Sequence, residues 1–165
     1  MCEEIGQKKN WKTLLREIAI LATGLITGAF LAFLWLKGNL IEMYEADVPY
    51  KEMVQIFPVK ASGMPGWTVS REYCKLPGDV AVFELCHKQY AGKLLTNETD
   101  KEIAAILPCS FALYETAEGK TRLVRINARL ASWLTGGNPR LIFRDQIGPE
   151  QDALLKLCGF QKKND

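Results

Sequence analysis

The sequence predicts an α+β fold, in which a single N-terminal transmembrane helix precedes one small α+β domain with a four- to five-stranded sheet. Two observations lead to this prediction. Ile18–Leu36 is a run of 19 residues without a charge, close to the roughly 20 residues that an α-helix needs to cross a bilayer core. The chain that follows alternates β-rich runs with helical patterns, and its length of about 125 residues suits one globular domain with its own core.

Bulk composition excludes several classes of function. The net charge of +2 and the charged fraction of 24% are those of an ordinary soluble domain and give no strongly basic surface for nucleic acid. The sequence contains no C-x-x-C, P-loop, G-x-G-x-x-G or G-x-S-x-G motif. The residue spacings typical of zinc ribbons, thioredoxin-like proteins, nucleotide-binding proteins and α/β-hydrolases are therefore absent. The motifs leave enzymatic activity undecided and favour a non-catalytic protein; we predict no cofactor, with a metal at Cys86, His87 and Cys109 as the alternative.

The charge distribution around the apolar run predicts its orientation. Four cationic residues precede the run and two follow it in the comparable window: Lys8, Lys9, Lys12 and Arg16, then Lys37 and Lys51. Because Lys and Arg near a span stay cytoplasmic, we expect 1–17 in the cytoplasm, 18–37 across the inner (cytoplasmic) membrane, and the domain in the periplasm or otherwise outside. Cleavable signal peptides usually have an apolar region of about 7–15 residues and an A-x-A-like site, so we expect an uncleaved anchor.

One face of the span carries small residues. Gly24 and Gly28 form a G-x-x-x-G pair, and Ala32 lies one further turn along. Small residues at this spacing let another helix approach closely, although Gly and Ala are also frequent in spans without partners. If the face is used, its partners are the lipid bilayer together with other transmembrane helices of a complex or a second copy of this chain.

The domain is predicted from strand and helix patterns between Pro and Gly turns. β-branched and aromatic residues indicate four strands: Trp67–Leu76, Val80–Leu85, Ser110–Tyr114 and Arg122–Ile126. Apolar spacing and capping residues indicate helices: Tyr50–Phe57, Cys86–Leu95, Lys101–Leu107, Ala128–Leu134 and Glu150–Leu157. We expect Pro58 to end the first helix. Residues 40–48 fit either a helix or a fifth strand.

Cys86, His87 and Cys109 are the candidate thiol or ligand residues, because they combine soft-ligand or redox chemistry with positions at strand ends. A helix beginning at Cys86 favours a thiolate through its positive dipole end. Parallel strands would separate Cys86 from Cys109, whereas antiparallel strands would bring them to the same end of the sheet. Packing cysteines, a disulfide, and ligand or catalytic thiols all stay open. A closed metal site would need a further donor such as Glu84.

The remaining cysteines are assigned structural roles. Cys74 and Cys158 are expected to be packing residues, with a bridge between them as the alternative in an oxidising compartment. Cys2 precedes the apolar run, so we expect a free cytoplasmic thiol there, with reversible acylation as the alternative.

Cationic residues are concentrated in the last third of the chain. They are Arg122, Arg125, Arg129, Arg140 and Arg144. A solvated face is the simpler interpretation, and a surface for an acidic partner or for lipid headgroups is the functional one. Strand alternation is expected to put Val124 and Ile126 inward and Arg125 outward.

Several motifs of the domain occur in a distinctive order: a Gly-Trp pair before a strand, then ELCHKQYAGKLL, LPCSFALYE and RINARL. In this order they resemble DUF302, a family of unknown function that usually reads Cys-Asn-Pro-x-x-Ala, Leu-Leu-Pro-Cys and a Val-Tyr-Glu strand. The matching positions are Cys86, Tyr90, Ala91, Leu107, Pro108, Cys109, Tyr114 and Glu115. His87 and Lys88 depart from the family's Asn-Pro.

The resemblance covers Glu45–Trp133 and places a DUF302-like domain at 45–137, followed by a C-terminal extension at 138–165. It implies a small α+β domain, often dimeric, from a prokaryote, with no established reaction. The expected function is that of a membrane-anchored, non-catalytic accessory subunit of a larger membrane complex, respiratory or photosynthetic. The alternative is an extracytoplasmic ligand-, metal- or thiol-redox-binding domain that uses Cys86 and Cys109.

Overall fold

The computed structural model describes residues 11–76 and 79–163, with side chains throughout except at 70–76 and 134. It divides into two compact units, Met1–Gly38 and Asn39–Asp165. In the first unit, α1 (Trp11–Leu40) is a 30-residue helix without a buried residue. It is long and apolar enough to cross a membrane. The predicted apolar helix is therefore present.

The second unit is built on a six-stranded antiparallel sheet in the order β2-β3-β4-β5-β1-β6. The strands are β1 (Ile41–Ala46), β2 (Trp67–Leu76), β3 (Val80–His87), β4 (Cys109–Glu115), β5 (Thr121–Ile126) and β6 (Gln161–Lys162). The predicted count of four or five strands was therefore too low. The segment left open, 40–48, contains β1, and the two-residue β6 is too short to leave a periodic pattern.

Helices cover the sheet and connect its strands. They are α2 (Tyr50–Gly63), α3 (Lys88–Leu94), α4 (Ala128–Ala131), α5 (Gly137–Ile142) and α6 (Gly148–Leu157), with 3₁₀ turns at Glu98–Ile106 and Ser132–Leu134 and a π-helical turn at Phe143–Ile147. α2 continues through Pro58, contrary to expectation. Met53, Phe57 and Ala61 lie fully buried on both sides of this proline, so packing outweighs the lost backbone hydrogen bond.

The core lies between one face of the sheet and the helices. Alternate residues of β3 and β4 point into it, among them Phe83, Leu85 and Phe111. The ring of Phe57 on α2 lies 5.4 Å from that of Phe83 and 5.5 Å from that of Phe111, in tilted geometry. The predicted C-terminal extension also contributes to this core, through Phe143, Ile147, Leu154, Leu155 and Phe160.

Candidate functional site

The three candidate thiol or ligand residues lie at one end of the antiparallel pair β3 and β4. Leu85 is the register partner of Cys109, and Cys86 and His87 follow it as the last residues of β3. The helix begins only at Lys88, because β3 continues two residues beyond its predicted end. The expected helix N-terminus at Cys86 is therefore wrong: Cys86 belongs to the strand and is paired with Thr68 of β2.

Strand alternation separates the two thiols. Cys109 shares a face with its register partner Leu85, whereas the next residue, Cys86, projects from the other face. Both cysteines are free and half-buried. Within residues 11–76 and 79–163, no group of three or more His, Cys, Asp or Glu side chains is placed to hold a metal ion. Alternation thus sets the two side chains on opposite faces, while both residues border one cavity of about 10 Å³ together with His87 and Tyr90.

His87 is buried, and contacts with neighbouring residues hold its imidazole in place. It is the N-cap of α3, and its Nδ1 accepts a hydrogen bond from the backbone N–H of Tyr90 at 3.4 Å. Its ring stacks on the Tyr90 ring with centroids 3.8 Å apart, and it meets the Trp67 ring edge-on at 5.5 Å. On its other side, a Cβ at Gly66 would lie 2.1 Å from Nε2. Because Nδ1 accepts, the neutral ring carries its proton on Nε2.

Glu150, at the start of α6, completes this cluster. Its carboxylate accepts a hydrogen bond from Trp67 Nε1 at 2.6 Å and another from Tyr90 Oη at 2.5 Å. The bond to Glu150 is the main reason that the pKa of Tyr90 is raised to about 12, since it stabilises the protonated phenol. We call His87, Trp67, Tyr90 and Glu150 the His87 cluster.

A second polar cluster lies where β5, β1 and α6 meet. Arg125 is 5% exposed, and it is the register partner of Glu42. Its Nε and Nη2 donate to Glu42 Oε2 at 3.0 and 2.7 Å, and its Nη1 donates to Gln151 Oε1 at 3.1 Å. Nη2 also contacts Asp152 and donates to Tyr44 Oη at 2.9 Å. We call Arg125, Glu42, Tyr44, Gln151 and Asp152 the Arg125 cluster.

The inward position of Arg125 overturns the expected face of β5. Thr121, Leu123 and Arg125 are buried, whereas Ile126 is exposed. The expectation followed apolarity alone and set Val124 and Ile126 inward. The guanidinium is instead satisfied inside by carboxylates and an amide, which offset the free energy of removing a charge from water. The sequence of β5 alone does not indicate that its arginine is buried, because the groups that pair with the guanidinium lie in other elements.

Electrostatic interactions in the Arg125 cluster favour the ionised forms of Arg125 and Glu42. Burial raises the pKa of Glu42, but the hydrogen bond from Lys162 and the charge of Arg125 outweigh it, so that the pKa is lowered. Lys162 Nζ lies 2.7 Å from Glu42 Oε1. Burial is also the main reason that the pKa of Tyr44 is raised to about 12. Together with Lys162, the cluster is therefore an ion-pair network that connects β1, β5, β6 and α6.

Cys109 borders a small cavity beside this network. The cavity has a volume of about 30 Å³ and is also lined by Ser110, Arg125, Gln151 and apolar residues. That space holds one or two water molecules but no larger ligand. Burial raises the pKa of the Cys109 thiol to about 11, and a hydrogen bond from Gln151 only partly opposes the shift. Cys109 is a thiol, and a weak nucleophile, near neutral pH.

A larger, open cleft of about 560 Å³ lies between the 3₁₀ turn Glu98–Ile106 and the start of α5. The residues that line it are Thr99, Asp100, Glu102, Ile103, Ile106, Thr135, Gly136, Gly137 and Pro139. Its volume is within the range of ligand pockets. The residues that line it include no Cys, His or cationic side chain, so its chemistry differs from that of both clusters.

The other predicted positions are placed as follows. Cys158 is free and buried, and burial raises its pKa to about 11. The Cys74 side chain and Cys2 lie outside the described part of the chain, as do 1–10. Gly24, Gly28 and Ala32 are exposed on α1, and a Cβ at either glycine would meet no atom within 4 Å.

Sequence reasoning missed the role of α6. Three consecutive residues, Glu150, Gln151 and Asp152, contact both clusters. The available signal was Glu150 in the first turn of the helix, after Gly148-Pro149, which only indicates a helix start. Their partners lie between 23 and 83 residues away in sequence, so no local pattern could identify them.

Comparison with known proteins agrees with the motif resemblance. Residues 75–142 match the model of the family described as "Domain of unknown function DUF302". The solved structure of an uncharacterized conserved DUF302 protein from Bacillus stearothermophilus is similar, with a TM-score of 0.61 at 14% identity, covering 72% of this chain and 98% of that one. No curated protein matches the sequence. Residues 75–142 thus match DUF302, in a chain whose α+β fold is that of a solved DUF302 protein.

Proposed function

We propose that α1 crosses a membrane once and anchors the Asn39–Asp165 domain as a non-catalytic accessory subunit of a larger membrane complex. The observation that carries this proposal is the apolar surface of α1, on which no residue is buried. Along it, Gly24 and Gly28 leave an open face on which a second helix can approach closely. In lipid, such close packing is a main source of helix association.

The arrangement of the domain supports a binding role over a reactive one. Glu150, Arg125 and the Nδ1 of His87 are engaged by neighbouring side chains or backbone. These contacts connect elements of the fold to one another, so the side chains that make them have a structural role. The proposed topology follows the cationic residues: with Lys12 and Arg16 in the cytoplasm, the domain is extracytoplasmic and, in a bacterium with two membranes, periplasmic.

The proposal is tested by purifying the full chain from its native membranes in a mild detergent and identifying every accompanying chain by mass spectrometry. We expect partner membrane proteins with the wild type and their loss in Gly28→Leu, because a leucine there blocks close helix approach. Ala19→Leu is the matched control: it lies nine residues earlier, two and a half turns, on the opposite side of α1. It should keep the partners.

Two results would contradict the accessory-subunit role. One is recovery of the wild-type chain as a monomer without any accompanying protein. The other is equal partner recovery from Gly28→Leu and Ala19→Leu, which would show that the small-residue face is not used. Recovery of a homodimer alone would replace a larger complex by self-association through the same face.

The thiol-redox or ligand-binding alternative at Cys86 and Cys109 is less well supported. The two thiols project from opposite faces, and the pKa of Cys109 is raised to about 11. At pH 8 Cys109 is then predominantly the protonated thiol. We expect Cys109→Ser to leave the rate and extent of iodoacetamide labelling at pH 8 unchanged in the folded protein. A clear loss of one fast-reacting thiol, or of bound metal, in Cys86→Ser or Cys109→Ser would restore the alternative.

A further inference from the structure

An exposed aromatic–cation pair lies outside both clusters. Trp133 is 72% exposed, and the guanidinium carbon of Arg140 lies 5.0 Å from the centroid of its indole. Leu141, the next residue of α5, is 49% exposed. We call Trp133, Arg140 and Leu141 the Trp133 patch.

Arg140 differs from the other arginines of the last third. Those four contact carboxylates: Arg122 with Glu45, Arg125 with Glu42 and Asp152, Arg129 with Asp152, and Arg144 with Asp145. Within the described chain, the contact of Arg140 is the Trp133 ring rather than a carboxylate. Its charge is thus available to an anion from outside the molecule.

The sheet has one end at which the domain begins. β1 starts at Ile41, directly after Leu40, and Ile41 is the register partner of Ile126. We call this the proximal end. At the distal end, Ala46 is paired with Thr121, next to the β4–β5 turn. Ile41 and Ile126 are 47% and 48% exposed, so the proximal end presents an apolar pair.

Chain geometry keeps Trp133 near the proximal end. It follows Ile126 by seven residues, most of them in α4 and the 3₁₀ turn after it. At about 1.5–2 Å per residue these span about 12 Å. The six residues of β5 extend over about 17 Å, so this segment is too short to reach the distal end.

We propose that the Trp133 patch is a membrane-interface contact, in which the Trp133 indole lies in the headgroup layer and Arg140 binds the phosphate of an anionic lipid. This inference rests on the proposed crossing of the membrane by α1. β1 begins at Ile41, directly after the last residue of α1, so the chain that leaves the proposed span enters the domain at its proximal end. Indole rings favour that layer, and a cation near anionic headgroups gains free energy from their surface potential.

Lipid explains the patch better than an acidic protein does. The tether gives the bilayer a high effective concentration at the proximal end without any further binding event. The patch also joins a guanidinium to indole and leucine side chains, and these suit the polar-to-apolar boundary of a bilayer. An acidic protein surface would match the charge of Arg140 but not the neighbouring exposed leucine.

The inference is tested with the full chain in nanodiscs, by placing the photo-crosslinking residue p-benzoylphenylalanine at Leu141, which keeps both Trp133 and Arg140. Ala117 is the control position, because it is exposed in the turn at the distal end. With phosphatidylglycerol present, we expect phospholipid adducts at Leu141 and none at Ala117. Arg140→Gln should lower the adduct yield by up to about fivefold, whereas Lys51→Gln, which removes an equal charge from α2, should not.

Equal lipid adducts at Leu141 and Ala117, or adducts of Leu141 with a second copy or another protein in place of lipid, would overturn the inference. An Arg140→Gln yield equal to that of Lys51→Gln would also overturn it. Alkaline carbonate extraction of the native membranes that contain the full chain separates this failure from failure of the membrane anchor. If the chain stays in the membrane while Leu141 meets no lipid, only the interface contact is wrong; if the chain is extracted, the proposed anchor is wrong as well.

Discussion

The His87 cluster and the Arg125 cluster meet the same helix, α6, through different chemistry. Glu150 receives two neutral donors, the Trp67 indole and the Tyr90 hydroxyl. The two residues that follow it receive the charged guanidinium of Arg125, whose side chain is almost entirely buried. The helix is therefore attached to the β2–β3 side of the sheet by neutral donors and to the β5–β1 side by an ion pair.

This difference predicts unequal consequences of losing a partner. A buried charge without its counter-ion retains the free energy penalty of leaving water, whereas a neutral donor without its acceptor loses only a hydrogen bond. The Arg125 cluster should therefore be the more sensitive of the two. The His87 cluster should depend more on shape, because stacked rings and Gly66 confine the imidazole.

The largest effect is expected from Arg125→Met. It removes the guanidinium that Glu42, Gln151 and Asp152 share and leaves Lys162 as the cation beside Glu42, so the free energy of unfolding should fall by about 3 kcal/mol or more. Urea unfolding of the full chain in detergent, followed by circular dichroism, measures the change. Arg144→Met is the matched control, since Arg144 is exposed and forms a surface ion pair with Asp145, and should change stability by at most about 0.5 kcal/mol. Equal effects would mean that the Arg125 cluster is not an ion-pair anchor.

Gly66→Ala tests the confinement of His87. Gly66 has φ +80, and Gly119 has φ +78 with open space around it, so both glycine-to-alanine changes strain the backbone. Only at Gly66 does the new Cβ overlap the imidazole. We expect Gly66→Ala to lower the free energy of unfolding by about 2 kcal/mol more than Gly119→Ala, measured as above. A second substitution, His87→Ala, should remove most of this excess; if it does not, the imidazole is not the obstacle.

Glu150→Gln tests the His87 cluster, in which the hydrogen-bond donors to Glu150 are neutral. The amide still accepts from one donor but loses the charge that strengthens both bonds, so we expect a loss of about 1–2 kcal/mol. This is less than the effect of Arg125→Met. Glu102→Gln, at an exposed position, serves as the control and should lie within about 0.5 kcal/mol of wild type. A Glu150→Gln loss larger than that of Arg125→Met would reverse the ranking of the two clusters.

The smallest effect is a difference in acid sensitivity. The pKa of Glu42 in the folded protein is below its ordinary value of 4.5, so its contribution to stability is present above that pH and is lost as the pH falls below it. Wild type should therefore lose stability more steeply below pH 4.5 than Glu42→Gln does. Unfolding midpoints measured from pH 6 to about pH 3 test this, and parallel curves would remove Glu42 from the acid response.

Much of the fold could be predicted locally. The bounds of β2 agree with the prediction, since Gly-Trp and Pro-Gly turns enclose a run of β-formers. The helix at α6 was also predicted, with Glu150–Leu157 lying within Gly148–Leu157. The ends of β3 and α2 were wrong, because pairing with β2 carries β3 past Cys86 and core packing carries α2 past Pro58.

The candidate site was predicted less well, because it depends on long-range contacts. The predicted Cys86, His87 and Cys109 do lie at one end of β3 and β4. Their relation was decided by a register that puts Leu85, and not Cys86, opposite Cys109. A register shift by one residue exchanges the faces of a strand, and no motif within either strand specifies it.

The sequence by itself determined a long apolar N-terminal helix, an α+β domain and a DUF302-like motif order, since composition, periodicity and turn residues are local properties of the chain. The tertiary structure alone decided that Arg125 points inward, that α6 joins both clusters, and that Arg140 faces outward over Trp133. The physical reason is that an arginine's free energy depends on whether carboxylates surround it. Here those carboxylates come from residues far away in sequence.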